Sequence, residues 1–169
     1  AYTPIIPYMQ NTLNISSADI GLIASSNYLG YLIGSIIPLI YSFANKQRLT
    51  LYLSVVVSIV TLGLMGSTSD FYLFILLRFL QGISGAIGLV SATNLIFSQI
   101  TVTGRIDLRL AHISGFGVGM FLSAIAVWIC SMFDLQWHYQ WFVIALICSV
   151  LTIPIISSPL EVGSEASID

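Results

Sequence analysis

The sequence predicts an all-α polytopic membrane protein with five complete transmembrane helices and the end of one more before them. Three observations carry this. Only 7% of the 169 residues are charged and 57% are hydrophobic, with a mean hydropathy of +0.96; an ordinary soluble domain is about 25% charged. The apolar residues gather into five long stretches, and a helix needs about 20 such residues to cross a bilayer core. The basic residues outside those stretches occur in alternate breaks only. Five Lys/Arg and seven Asp/Glu cannot clothe a soluble globule of this size. The same balance excludes a nucleic-acid binder, which needs a basic face, and a disordered tail, which needs low hydrophobicity.

Residues 1–13, with Pro4 and Pro7, are too few to cross a bilayer as a helix. They are read as the end of helix 1, whose body precedes them. Helix 2 is expected over residues 20–44, after polar Asn11, Asn14, Ser16, Ser17 and Asp19, with Ser16 or Ser17 as its N-cap. Helix 3 is expected over 49–66, ended by the turn Gly66-Ser67-Thr68-Ser69-Asp70. Helix 4 follows over 71–100, interrupted only by Arg78, then helix 5 over 110–133 and helix 6 over 140–156. Residues 1–157 would form one six-helix domain. The polar, acidic residues 158–169 read as the start of a cytoplasmic loop.

Orientation follows from the cations, which favour the cytoplasmic side. Lys46 and Arg48 lie in one break, Arg105 and Arg109 in another, and the two share a side. The opposite breaks carry Asp19, Asp70 and Asp134 and no cation. Loops 45–48 and 101–109 are therefore expected in the cytoplasm, in the cell (inner) membrane. Trp137, Tyr139 and Trp141 are expected to form an aromatic belt at the outer interface.

Lipid gives no hydrophobic drive between helices, so close approach at small residues matters. Ser26, Gly30 and Gly34 recur every four residues, as do Gly115, Gly119 and Ser123; Gly82, Gly85 and Gly88 recur every three. All are expected at helix contacts, Gly85 and Gly119 included, either in a static bundle or on a surface that slides. Asn27 and Tyr31 form a polar stripe on helix 2, and Asn94 with Ser91 and Ser98 on helix 4. Polar atoms at that depth face protein or water, in a helix–helix hydrogen bond or along a solute path.

Arg78 is the one charge inside a span. A central arginine costs about 2.5–3.5 kcal/mol on insertion scales, so it needs acceptors. No Asp or Glu lies within a predicted span. Gln81, one turn away, is one available partner. Arg78 is either a structural clamp or a solute-binding or gating group. His112 and His138 fall near helix ends and read as interfacial. Cys130 and Cys148 lie in apolar surroundings, far from metal-ligand spacing, and read as packing residues. No catalytic set, metal cluster or phosphate loop appears, so neither enzyme activity, cofactor nor metal is expected. Gly115-Phe116-Gly117 follows no strand and is not a dinucleotide fingerprint.

Arg78-Phe79-Leu80-Gln81-Gly82-Ile83-Ser84-Gly85-Ala86 resembles the fourth-helix motif of the major facilitator superfamily, Arg-x-x-Gln-Gly followed by small residues. The run from Gly115 to Gly119 stands where that family has its fifth-helix glycine motif, without the proline usual there. The opening Ala1-Tyr2-Thr3-Pro4-Ile5-Ile6-Pro7-Tyr8-Met9 and the stretch Ser26-Asn27-Tyr28-Leu29-Gly30-Tyr31-Leu32-Ile33-Gly34 look like its YbfB/YjiJ-like branch. One feature departs: Ser42-Phe43-Ala44-Asn45-Lys46-Gln47-Arg48 keeps the basic residues of the family's loop between helices two and three but lacks its aspartate. The resemblance covers roughly residues 1–160 and implies half of a major facilitator fold.

It also implies the N-terminal half of a secondary transporter for a small solute, working by alternating access against a C-terminal six-helix half. Proton coupling is common in that family. The alternative is a non-transporting membrane assembly protein or an inactive transporter remnant. The implied partners are a small-molecule solute, the lipid bilayer and the second half, with no nucleic acid. Arg78, Gln81, Asn27, Tyr31 and Asn94 are the transport or gating candidates. The orientation is checked by cysteine labelling in intact cells: cysteines placed beside Lys46 or Arg105 should stay unreacted with an impermeant outer reagent, and labelling of either would reverse the topology.

Overall fold

Asp19, at the head of the first long helix, and Ser16 bond reciprocally. The Ser16 hydroxyl accepts from the Asp19 backbone N–H at 3.1 Å, and the Asp19 carboxylate accepts from Ser16 N–H at 3.3 Å and from its hydroxyl at 2.7 Å. This satisfies donors that a helix start leaves orphaned. Among the described residues such punctuation marks off six helices: α1 (Tyr2–Leu13), α2 (Ser17–Ile40), α3 (Gln47–Ser67), α4 (Phe71–Thr103), α5 (Asp107–Met132) and α6 (Trp137–Ser157). The computed structural model describes residues 2–40, 46–105 and 107–157, and no strand occurs among them. The expected end of helix 2 at 41–44, the family departure at 42–45 and the tail 158–169 lie outside the described residues.

Among the described residues five helices, α2 to α6, are long and apolar enough to cross a membrane. Several run past their apolar stretches into polar ends. Asp70 caps α4 by accepting the Leu73 N–H at 2.8 Å. Gly104 closes it in the left-handed conformation at φ 68°, its N–H donating to Ile100 O at 2.8 Å; a residue with a Cβ pays for that conformation. The 33 residues of α4 extend about 50 Å at 1.5 Å per residue, longer than a bilayer core is thick.

Helix α4 organises the bundle. Gly30 and Gly34 of α2 meet Phe79, Ile83 and Ala86 of α4 in parallel register. A Cβ on Gly30 would fall on the Phe79 carbonyl oxygen, and one on Gly34 would sit 2.6 Å from Ile83 O. A Cβ on Gly82 would strike the Asn27 carbonyl oxygen and lie 2.7 Å from Tyr31 N. The opposite side of α4 meets α3 in antiparallel register. Ser84 bonds Ser58 at 2.9 Å, and Gly88 faces Ser54, whose hydroxyl would lie 2.7 Å from an added Cβ.

Gly85, Gly115 and Gly119 overturn the expectation that they lie at contacts: an added Cβ would meet nothing within 4 Å at any of them. For Gly85 the reason is helical phase. A step of three residues turns about 300°, so Gly82, Gly85 and Gly88 drift around α4 rather than lining one face. Gly82 reaches α2, Gly88 reaches α3, and Gly85 opens between them. For Gly115 and Gly119 the reason is the isolation of their helix: α5 is exposed on every side from residue 113 to 122.

The hydrophobic core gathers at the other end, around Ile5, Met9, Ile23, Met65, Phe74, Trp137 and Trp141. Phe74 and Trp137 meet edge to face at 6.0 Å between ring centroids. Trp137 and Trp141 are 1% and 0% exposed, so the expected aromatic belt is reduced to exposed Tyr139. Positions four apart share a helix face, and this face of α6 points inward. Helix alternation puts the Lys46/Arg48 and Arg105/Arg109 junctions at one end of the bundle, and Asp19, Asp70 and Asp134 at the packed end. At the basic end Arg48 Nε donates to the Tyr52 hydroxyl at 3.1 Å, and exposed Arg105 pairs with exposed Asp107 at 2.6 Å.

Gly30→Ala and Gly82→Ala should each cost about 1–3 kcal/mol of overpacking and lower the folded yield on size exclusion. Gly85→Ala and Gly119→Ala should leave the yield at the parent level. Equal yields across the four variants would refute the α2–α4 contact.

Candidate functional site

The glycine contact between α2 and α4 sets polar side chains at one depth. Because Gly82 carries no side chain, the backbone at Asn27 and Tyr31 comes directly against α4. Gln81 precedes Gly82, and Arg78 stands one turn before Gln81. Arg78 is half-buried, and its Nη1 donates to Gln81 Oε1. The expected partner is thus found on the same helix, at the i, i+3 spacing that places side chains side by side. Asn27 is half-buried, whereas Tyr31 is 41% exposed at a cavity edge.

Asn94 does not join this group. It is exposed, and it follows Gly82 by about 18 Å along α4 at 1.5 Å per residue. Ser91, placed on the same stripe by spacing, is instead buried. The five candidates therefore divide into four near the α2–α4 contact and one apart.

A cavity of about 610 Å³ opens beside Gly85, within the size range of small-molecule sites. Its walls are largely apolar and come from α3, α4 and α6, with Tyr31 of α2 and Phe116 of α5 at its margins. Its polar groups are hydroxyls with most protons already committed. Ser54 donates to Leu51 O, Ser84 to Gln81 O, and Thr152 to Cys148 O. What they offer the cavity is mainly acceptor oxygen. Leu62 belongs both to this wall and to the hydrophobic core.

Sequence reasoning missed polar links between side chains of neighbouring helices. One is the Ser58–Ser84 pair between α3 and α4. Its signal was present in the spacing Ser54-x-x-x-Ser58 opposite Ser84-x-x-x-Gly88. Another joins α4 to α5, where the Thr93 hydroxyl lies 3.0 Å from His112 Nε2. A single threonine among many gives no such signal. Among the described residues, no three His, Cys, Asp or Glu side chains gather at metal-binding range.

The arrangement can hold a guanidinium charge within an apolar bundle and present amide and hydroxyl groups beside it. No curated protein and no solved structure matches the chain. A family described as "Uncharacterised MFS-type transporter YbfB" matches residues 1–167, nearly the whole chain and all six helices. Five membrane-crossing helices and the α4 motif at Arg78, Gln81 and Gly82 agree with that match. The chain is therefore a multi-pass membrane protein that belongs to the YbfB-type family of major facilitator superfamily transporters.

Proposed function

We propose that the chain is the N-terminal six-helix half of a secondary transporter that moves a small solute by alternating access. The observation that carries the reading is the family match over residues 1–167. On this reading residues 1–13 are the end of helix 1, and residues 1–157 form the domain. A C-terminal half would supply the facing wall of the solute path, near the midplane between the halves. The basic end of the bundle would face the cytoplasm.

Arg78, held by Gln81, serves this function as a binding or gating group, with Asn27 and Tyr31 beside it. A buried guanidinium is retained at a cost, and its planar fork suits carboxylate or other anionic groups. Asn94 lines a separate part of α4 and would act only where the second half approaches it.

The test is uptake or efflux in vesicles by the protein together with its second half, using a panel of labelled amino acids, sugars and organic anions. Folded yield by size exclusion is read in parallel. Arg78→Ala should fold at the parent level and lose transport more than about tenfold, the effect of about 1.4 kcal/mol. Arg78→Lys should rescue poorly, since an ammonium cannot reproduce the fork. A fall in folded yield instead would make Arg78 a structural clamp. Parent-level yield and transport in Arg78→Ala would remove both roles.

A further inference from the structure

At the acidic end of the bundle the last turns of α1 and the junction between α5 and α6 enclose a pocket of about 220 Å³. Tyr8 and Thr12 of α1 line it together with Ser131, Asp134, Gln136 and Trp137. Thr12 gives its hydroxyl proton to Tyr8 O at 2.9 Å, and Ser131 gives its own to Trp128 O at 2.6 Å. Both hydroxyl oxygens are left to accept. Asp134 stands in the left-handed conformation at φ 50°, its N–H donating to Ser131 O at 3.1 Å. Its carboxylate has no hydrogen bond or ion pair among the described residues.

That carboxylate differs from the two others at this end. Asp19 is bonded to Ser16, and Asp70 to the Leu73 N–H. The chain has five Lys and Arg residues: Lys46, Arg48, Arg105 and Arg109 at the basic end, and Arg78, bonded to Gln81, within α4. None of them lines the pocket. A positive partner for Asp134 therefore has to come from outside these six helices. Tyr8 and Trp137 add aromatic rings to the wall, and aromatic faces attract ammonium groups. A separate feature asks for the opposite charge. Trp137 is 1% exposed, and its indole N–H is buried with no acceptor among the described residues. A buried donor left unpaired is costly, and an oxyanion is the strongest kind of partner for it.

We propose that this pocket binds a small zwitterion, with an ammonium against Asp134 and the Thr12 and Ser131 oxygens and an oxyanion accepting from the Trp137 N–H. The Gln136 amide, which both donates and accepts, can serve either end. A bare cation leaves the indole unpaired, and a bare anion meets the Asp134 charge. A free amino acid and the headgroup of an aminophospholipid share this chemistry. The pocket shares no residue with the cavity beside Gly85. The proposal goes beyond the transporter reading and does not depend on it.

The test is magnetic resonance on the whole chain with isotope-labelled tryptophan, in phosphatidylglycerol nanodiscs, which hold no ammonium. Three indole N–H signals are expected, from Trp128, Trp137 and Trp141, and Trp137→Phe assigns the one that matters. Added glycine or γ-aminobutyrate should shift that signal saturably if the ligand is a free zwitterion. Replacing part of the lipid by phosphatidylethanolamine should shift it if the ligand is a headgroup. Methylammonium and acetate, each carrying one end only, should bind about tenfold more weakly or worse. Asp134→Asn should weaken the zwitterion by a similar factor. Asparagine is at home in the left-handed conformation, so the folded yield on size exclusion should stay at the parent level. This variant needs no change in the core, so it decides the matter even where Trp137→Phe fails to fold. No shift in any arm would overturn the proposal. So would an Asp134→Asn chain with the parent affinity, or sodium chloride giving the same shift as the zwitterions. Binding is read without transport, so these failures leave the transporter reading intact, and failed uptake of every solute leaves the pocket standing.

Discussion

Backbone contact between α2 and α4 is the constraint on which the rest of the bundle depends. In lipid a leucine gains nothing by leaving the tails for another leucine, so association relies on how closely main chains approach. Gly30, Gly34 and Gly82 remove the side chains that would keep these two helices apart. The closeness brings carbonyl oxygens of one helix against Cα atoms of the other, where weak C–H···O contacts add to dispersion. It also sets the backbone at Asn27 and Tyr31 against Gly82, the residue after Gln81. Without it the polar residues of α2 and α4 would be separate liabilities in an apolar medium.

The bundle is unequal along its length. At the acidic end aromatic and aliphatic side chains from α1, α3, α4 and α6 form a continuous core, with Trp137 and Trp141 buried. At the basic end α5 stands clear over a stretch containing Gly115, Phe116, Gly117 and Gly119, joined to α4 by the Thr93–His112 bond. A helix that is apolar all round and unpacked on most sides has no reason of its own to hold one position. Its position is then set by whatever else it meets, lipid or protein.

Much of this architecture was legible in the residues, because a membrane restricts the choices. Polar breaks and caps such as Ser16 with Asp19 mark helix ends, and the four-residue spacing of Gly30 and Gly34 marks a contact face. Spacing says which residues share a face; it does not say what that face meets. Gly115 and Gly119 have the same spacing as Gly30 and Gly34, yet a Cβ added to either would meet nothing within 4 Å among the described residues. Gly85 failed for a different reason, since a period of three drifts around the helix. Trp137 and Trp141 misled because tryptophan suits both an interface and a core, and the choice depends on where α6 turns. Of the site, the Arg78–Gln81 pair was readable from adjacency. The Ser58–Ser84 and Thr93–His112 links depend on how three helices cross, which no local pattern encodes.

The parallel register of α2 and α4 also dictates an order of birth. Gly30 meets Phe79, which lies 49 residues later in the chain. At about 5–20 residues per second of synthesis, roughly 2–10 s separate their appearance. During that interval α2 is in the bilayer with its small-residue groove empty, and α3 must already have crossed in the opposite sense. Whatever machinery inserts this protein has to shelter an unfinished pair of helices and release α2 only when α4 arrives.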